Sequence, residues 1–151
     1  VKLAEALILR AELQKRIEQL KTRIKNNAMI QEGDSPNEEP EELLEELEMC
    51  ITDLTYIIKR INRTNSQTMF DKEMTIADAL AERDGIWEKR LALSHIIESG
   101  SIRFDRYSRT EVKFISTIDV GKLQKEVDQL SKEYRELDTK IQSLNWTIEL
   151  I

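Results

Sequence analysis

From Leu123 to Ile151 apolar side chains recur at alternating spacings of four and three: Leu123, Val127, Leu130, Tyr134, Leu137, Ile141, Leu144, Ile148 and Ile151. An α-helix at 3.6 residues per turn gathers such a series onto one narrow line, and that line is stable only when it is covered by another helix. The spacing predicts a coiled-coil helix over residues 119–151, N-capped by Asp119 and ~46 Å long at about 1.5 Å per residue.

The same period recurs upstream. Leu3, Ala6, Arg10, Leu13, Ile17, Leu20 and Ile24 form a line in a helix expected over 2–26, with Arg10 the one misfit. Leu44, Leu47, Ile51, Leu54, Ile58 and Ile61 form another in a helix expected over 40–63, where Pro40 suits the first turn and Glu41 and Glu42 complement the helix dipole. A further helix is expected over 75–99, opened by the T-I-A-D stretch at Thr75–Asp78 and containing Gly85 as a candidate bend. Residues 27–39 read as a loop, longer than a bundle connection needs. Residues 101–118, SIRFDRYSRTEVKFISTI, alternate apolar and polar and predict a small β-hairpin turning at Ser108-Arg109.

Charge specifies how the first two helices pair. Nine acids and no base lie between Gln31 and Glu48, whereas the second half of the first helix holds Lys15, Arg16, Lys21, Arg23 and Lys25. An antiparallel hairpin sets these groups against each other, and it brings Lys59, Arg60 and Arg63 toward Glu5 and Glu12. A parallel pair sets like charges together.

The formal net charge of −6 argues against nucleic acid as a partner, because phosphate binding needs a basic face. The single cysteine, Cys50, excludes an internal disulfide framework and suits a reducing compartment, so a cytoplasmic location is expected. The stretch VKLAEALILR has Glu5 inside a short apolar run and no small-residue cleavage site, and does not read as a signal peptide. No run approaches the ~18 apolar residues of a spanning helix, so stable membrane insertion is not expected. With His95 the only histidine, no metal site or cofactor is expected, and no phosphate loop, nucleophile elbow or zinc-protease helix is present. The reading is non-catalytic.

Two groups of residues are candidates for function. The stretch R-I-N-R-T-N at 60–65 concentrates Arg60, Asn62, Arg63 and Asn65 at an expected helix end, and Arg83 with Asp84 follows in A-L-A-E-R-D. Asparagine and arginine suit a helix C-terminus for structural reasons, while a cluster of such donors can also grip a carboxylate or phosphate. Arg83 lies on a line that should be buried and therefore needs an acid or carbonyl partner. The second group is apolar. Trp146 and Leu150 fall on the side of the last helix away from its apolar line, and Phe104 and Phe114 lie in the expected hairpin. These four are candidates for a subunit interface.

K-L-A-E-A-L-I-L-R-A-E-L-Q-K-R-I at 2–17, R-I-N-R-T-N at 60–65, A-L-A-E-R-D at 79–84 and L-Q-K-E-V-D-Q-L-S-K-E-Y-R-E-L-D at 123–138, with N-W at 145–146, resemble a family of small, mostly uncharacterised bacterial helical proteins, some of which carry the name septicolysin. The resemblance spans nearly the whole chain and implies a helical, multimeric bacterial protein; it supplies no catalytic residues. The name implies a membrane-damaging activity, for which the one amphipathic candidate is VKLAEALIL.

The expected fold is mainly α: one domain, residues 1–151, of antiparallel long-helix hairpins forming an elongated four-helix core with a small β-hairpin at about 101–118. The expected function is a self-assembling helical scaffold or adaptor, a homo-oligomer open to an unidentified protein partner. The alternatives are a binder of a small anion and a membrane-perturbing, haemolysin-like protein.

Overall fold

The computed structural model describes residues 1–101 and 112–151. Among these residues there are four helices: α1 (Leu3–Asn26), α2 (Pro40–Gln67), α3 (Ile76–Gly100) and α4 (Val120–Asn145). The chain divides into two compact units, one of Val1–Ala77 with Gln142–Ile151, the other of Asp78–Ile141.

In the first unit α1 and α2 run antiparallel. Arg16 pairs with Glu46 and Arg23 with Glu38, so that residues later in α1 meet residues earlier in the chain segment opposite. This is the arrangement the charge pattern predicts. Asn27 then closes the end of α1: its side-chain amide donates to the Arg23 carbonyl at 2.8 Å, and its carbonyl oxygen accepts the Glu38 N–H at 3.1 Å. The long loop thus stands on a fixed base, and its turn at Gly33 uses a φ of +91° that favours glycine.

The inner line of α1 is as expected, with Leu3, Ala6 and Leu20 buried and Arg10, Leu13, Ile17 and Ile24 half-buried. That of α2 is shifted. Its buried or half-buried ladder is Leu43, Leu47, Cys50, Leu54, Ile57, Ile61 and Thr64, while Leu44 is 49% and Ile51 46% exposed. The two lines share Leu47, Leu54 and Ile61, and Ile58 of the expected line is half-buried beside them. They differ in which flank of that line faces α1, and α2 is apolar on both flanks. The helix also runs four residues past the expected end at 63, because the fully buried Thr64 continues its inner line.

The remainder of the first unit is the end of the chain folded back. The helix expected to reach 151 stops at Asn145: Trp146 N–H and Thr147 N–H bond to carbonyls only three residues back, and the chain then extends. Lys2 and Glu149 pair in antiparallel fashion, with Leu3 N–H donating to the Ile148 carbonyl at 2.9 Å and Leu150 N–H to the Val1 carbonyl at 2.8 Å. The Ile148 carbonyl thus does for α1 what a capping side chain does elsewhere, since Lys2 makes no side-chain cap. Between α2 and α3, Asp71 accepts the N–H groups of Glu73 (2.7 Å) and Met74 (2.9 Å), forming a tight reversal that pairs Met69 with Thr75.

In the second unit α3 and α4 are antiparallel in a constant register. Arg83 meets Asp138, Trp87 meets Tyr134 and Arg90 meets Ser131, each pair one turn further along both helices. Asp119 caps α4 as expected, accepting the Lys122 N–H at 3.0 Å. The β-hairpin is not supported. Residues 112–118 form no strand, and Val112, Phe114 and Ile115 are exposed; alternation alone does not make a strand. Its other half, with Ile102, Phe104 and the Ser108-Arg109 turn, lies outside the described residues. Gly100 ends α3 where a Cβ would collide with the side chain of Ile118.

Candidate functional site

The R-I-N-R-T-N stretch lies inside α2, in its last turns. Thr64 is fully buried and its hydroxyl is used twice: it donates to the Arg60 carbonyl at 2.8 Å and accepts the Ile151 N–H at 2.9 Å. One turn earlier, Arg60 Nε donates to the Ile151 carbonyl at 3.0 Å, and its guanidinium sits 5.6 Å over the Tyr56 ring. Arg60 and Thr64 therefore grip both sides of one residue's backbone. Asn62 and Arg63 are exposed and Asn65 is half-buried. The residue that organises this turn is Thr64, which is not among the sequence candidates; its position in the 57–61–64 spacing is the signal that marks it.

Arg83 and Asp84 belong to the second unit. Arg83 donates to Asp138 at 3.0 Å and to Asp84 at 3.2 Å. Partial burial pulls its pKa down, and the two carboxylates more than offset this, so the guanidinium is held above its ordinary range. The requirement for an acid partner is met within α3 and α4. One heptad on, Arg90 also lies on the inner line. It donates to Ser131 Oγ at 2.7 Å and stacks 4.7 Å from the Trp87 ring, which in turn meets Tyr134 at 5.0 Å. Tyr134 is on the expected apolar line of α4; Arg90, Ser131 and Trp87 are not among the sequence candidates, although the seven-residue spacings Arg83–Arg90 and Ser131–Asp138 mark their layer.

The apolar candidates separate. Trp146 is 56% exposed, whereas Leu150 is buried within the first unit, because α4 has ended before either residue and the two no longer share a helix face. Phe114 is 81% exposed; Phe104 lies outside the described residues. An open cleft of about 890 Å³ is lined by His95, Ser99, Ser101, Phe114 and Ser116 among others. Among the described residues no helix is long and apolar enough to cross a membrane, and no group of three or more His, Cys, Asp or Glu side chains is placed to hold a metal ion.

Residues 10–150 match the model of a family described as a family of unknown function, DUF6847. Among solved structures the chain is similar to a protein from Corynebacterium diphtheriae described as a functionally unknown conserved protein. The two share 46% identity, with 100% of this chain and 99% of that one covered and a TM-score of 0.95. No curated protein matches the sequence.

Proposed function

The chain belongs to the family of unknown function DUF6847, and from that premise and its own geometry we propose that it is a non-catalytic, self-assembling helical scaffold or adaptor. The observation that carries this reading is the apolar side chain left uncovered on the helices: Leu44, Met49, Ile51 and Tyr56 on α2, and Trp87, Leu91 and Ile96 on α3. Surfaces of this kind are covered by protein partners. The lone Cys50 suits a reducing compartment, which supports a cytoplasmic location for such an assembly.

The anion-binding alternative has weaker support. Arg60 is occupied by the backbone of Ile151 and Arg83 by Asp138 and Asp84, which leaves Asn62 and Arg63 as its exposed donors. A membrane-perturbing role finds no long apolar helix among the described residues.

Light scattering across a concentration series tests the reading. A defined multiple of 17.7 kDa is expected. A mass that stays at one chain at the highest concentration overturns self-assembly.

A further inference from the structure

We propose that the first unit contains a slot for an extended peptide, filled here by the chain's own residues 147–151, and that the slot takes a separate segment of the same chemistry when this strap lets go. That chemistry is an acidic residue followed by two apolar ones. The inference goes beyond self-assembly, because slot and strap belong to a single chain.

The strap's contacts define the slot residue by residue. The Ile148 carbonyl accepts the Leu3 N–H at 2.9 Å, and the Glu149 carboxylate pairs with Lys2. Leu150 N–H donates to the Val1 carbonyl at 2.8 Å, and the Leu150 side chain is buried. Ile151 N–H donates to Thr64 Oγ1 at 2.9 Å, and the Ile151 carbonyl accepts from Arg60 Nε at 3.0 Å. All of these residues belong to the unit of Val1–Ala77 with Gln142–Ile151. From Glu149 on, the groups that hold the strap come from the entry to α1 and the last turns of α2, and not from α4, to which the strap is joined.

Two features make this a recognition surface. The slot reads main chain at Ile148, Leu150 and Ile151, and side chain at Glu149 and Leu150. Extended peptides are bound in this way wherever they add to a folded chain: main-chain hydrogen bonds hold them, and side-chain pockets select them. The receiving groups are also placed in advance. Thr64 is fully buried, and its hydroxyl is fixed by donating to the Arg60 carbonyl at 2.8 Å. The Arg60 guanidinium rests 5.6 Å over the Tyr56 ring. Groups so held lose little freedom on binding.

The strap leaves α4 through a weak turn. Trp146 is 56% exposed, and Trp146 N–H and Thr147 N–H reach carbonyls only three residues back, at 3.3 and 3.0 Å. Segments of this kind open at a lower free energy than the whole fold. Opening strips Leu3 N–H of its acceptor, since Lys2 makes no side-chain cap, and leaves Arg60 Nε and the Thr64 oxygen to an incoming backbone. In the wild type the tethered strap competes at a high effective concentration, so a free peptide binds weakly.

The test titrates a fluorophore-labelled peptide with the sequence of residues 145–151, blocked at both ends, into the full chain and follows anisotropy. Leu150→Asp weakens the strap and leaves every receiving residue in place. It is expected to keep its helical circular dichroism and to bind the peptide at least tenfold more tightly than the wild type. Adding Thr64→Val should weaken that binding about threefold or more, and a scrambled peptide should not bind. If Leu150→Asp keeps its helices and binds no better than the wild type, or binds the scrambled peptide equally well, the slot is not a peptide site. Where Leu150→Asp loses helix, Leu150→Ala replaces it under the same criterion. The wild-type amides of Leu3, Leu150 and Ile151 must then exchange with a smaller urea dependence than global unfolding, and exchange through global unfolding alone overturns the proposal.

Discussion

Arg90 donates to Ser131 at 2.7 Å, one heptad away from the layer in which Arg83 pairs with Asp138. Two equivalent layers of one helix pair thus hold an arginine, and only one supplies it with a carboxylate from the opposite helix. Arginines on an inner line fix register, because sliding either helix by one turn moves both guanidinium groups off their partners. The Ser131 hydroxyl is also tied to the Val127 carbonyl at 3.0 Å, so it is fixed to receive Arg90.

The two layers predict an order of stability. Ser131→Ala leaves Arg90 Nε without that acceptor and should cost about 0.5–1 kcal/mol, after allowance for the better helix propensity of alanine. Ser131→Asp gives Arg90 the same chemistry that Arg83 has and should be at least as stable as the wild type. A double-mutant cycle of Arg83→Met and Asp138→Asn should show a coupling on the order of 1 kcal/mol. Urea midpoints measure all of these; a zero coupling would mean that the pair sets register without adding stability.

The buried Thr64 hydroxyl gives a second prediction. Thr64→Val keeps the shape but removes the acceptor of the Ile151 N–H, and should destabilise by about 1–2 kcal/mol. Thr64→Ser keeps the hydroxyl and should lose less. Amide exchange at Ile151 is the specific readout: it should speed up in Thr64→Val and stay near the wild-type rate in Thr64→Ser.

These residues show where sequence patterns carry structural information and where they do not. The pairing of α1 with α2 was legible because nine acids with no base face a basic half-helix, and only one direction relieves that. The Asp119 cap and the α4 line as far as Leu144 were legible because capping and period agree there. The end of α4 was not: Ile148 keeps the four–three spacing but lies past the last helical turn, where its carbonyl accepts the Leu3 N–H, a long-range contact that local periodicity cannot register. Thr64 went unread because a threonine becomes a core residue only once both of its partners, Arg60 and Ile151, are in place. Over the described residues 112–118 the alternation misled, because it reports a tendency to extend and nothing more.

Acid sensitivity follows from the loop base. The hydrogen bond from Arg23 holds the Glu38 carboxyl below its ordinary value of 4.5, and that from Lys2 does the same for Glu149. A carboxyl depressed by folding contributes stability above its unfolded pKa, and the contribution is lost as the pH falls through the lower, folded value. Glu38→Gln should therefore be less stable than the wild type at pH 7, and the difference should shrink as the pH drops below 4.5. Glu149 is exposed and the half-buried Glu38 pairs at the surface, so added salt should shrink it as well. A difference that is constant from pH 7 to pH 3 would show that the Arg23–Glu38 pair contributes nothing to folding.

The shifted ladder of α2 makes the sharpest prediction, because two isoleucines on one helix should respond oppositely. Ile57 is 5% exposed on the inner line, while Ile51 is nearly half exposed on the flank. Ile57→Ala removes buried methyl groups and leaves a cavity, and should cost about 2–4 kcal/mol. Ile51→Ala should cost under about 0.5 kcal/mol in the folding of a single chain, since little surface is uncovered and alanine favours helix. Denaturation at low protein concentration separates the two readings of the helix. Equal losses at the two positions, or a larger one at Ile51, would return the inner line to Leu44, Ile51 and Ile58. If Ile51→Ala proves harmless when dilute but costly when concentrated, the exposed flank of α2 is covered in an assembly.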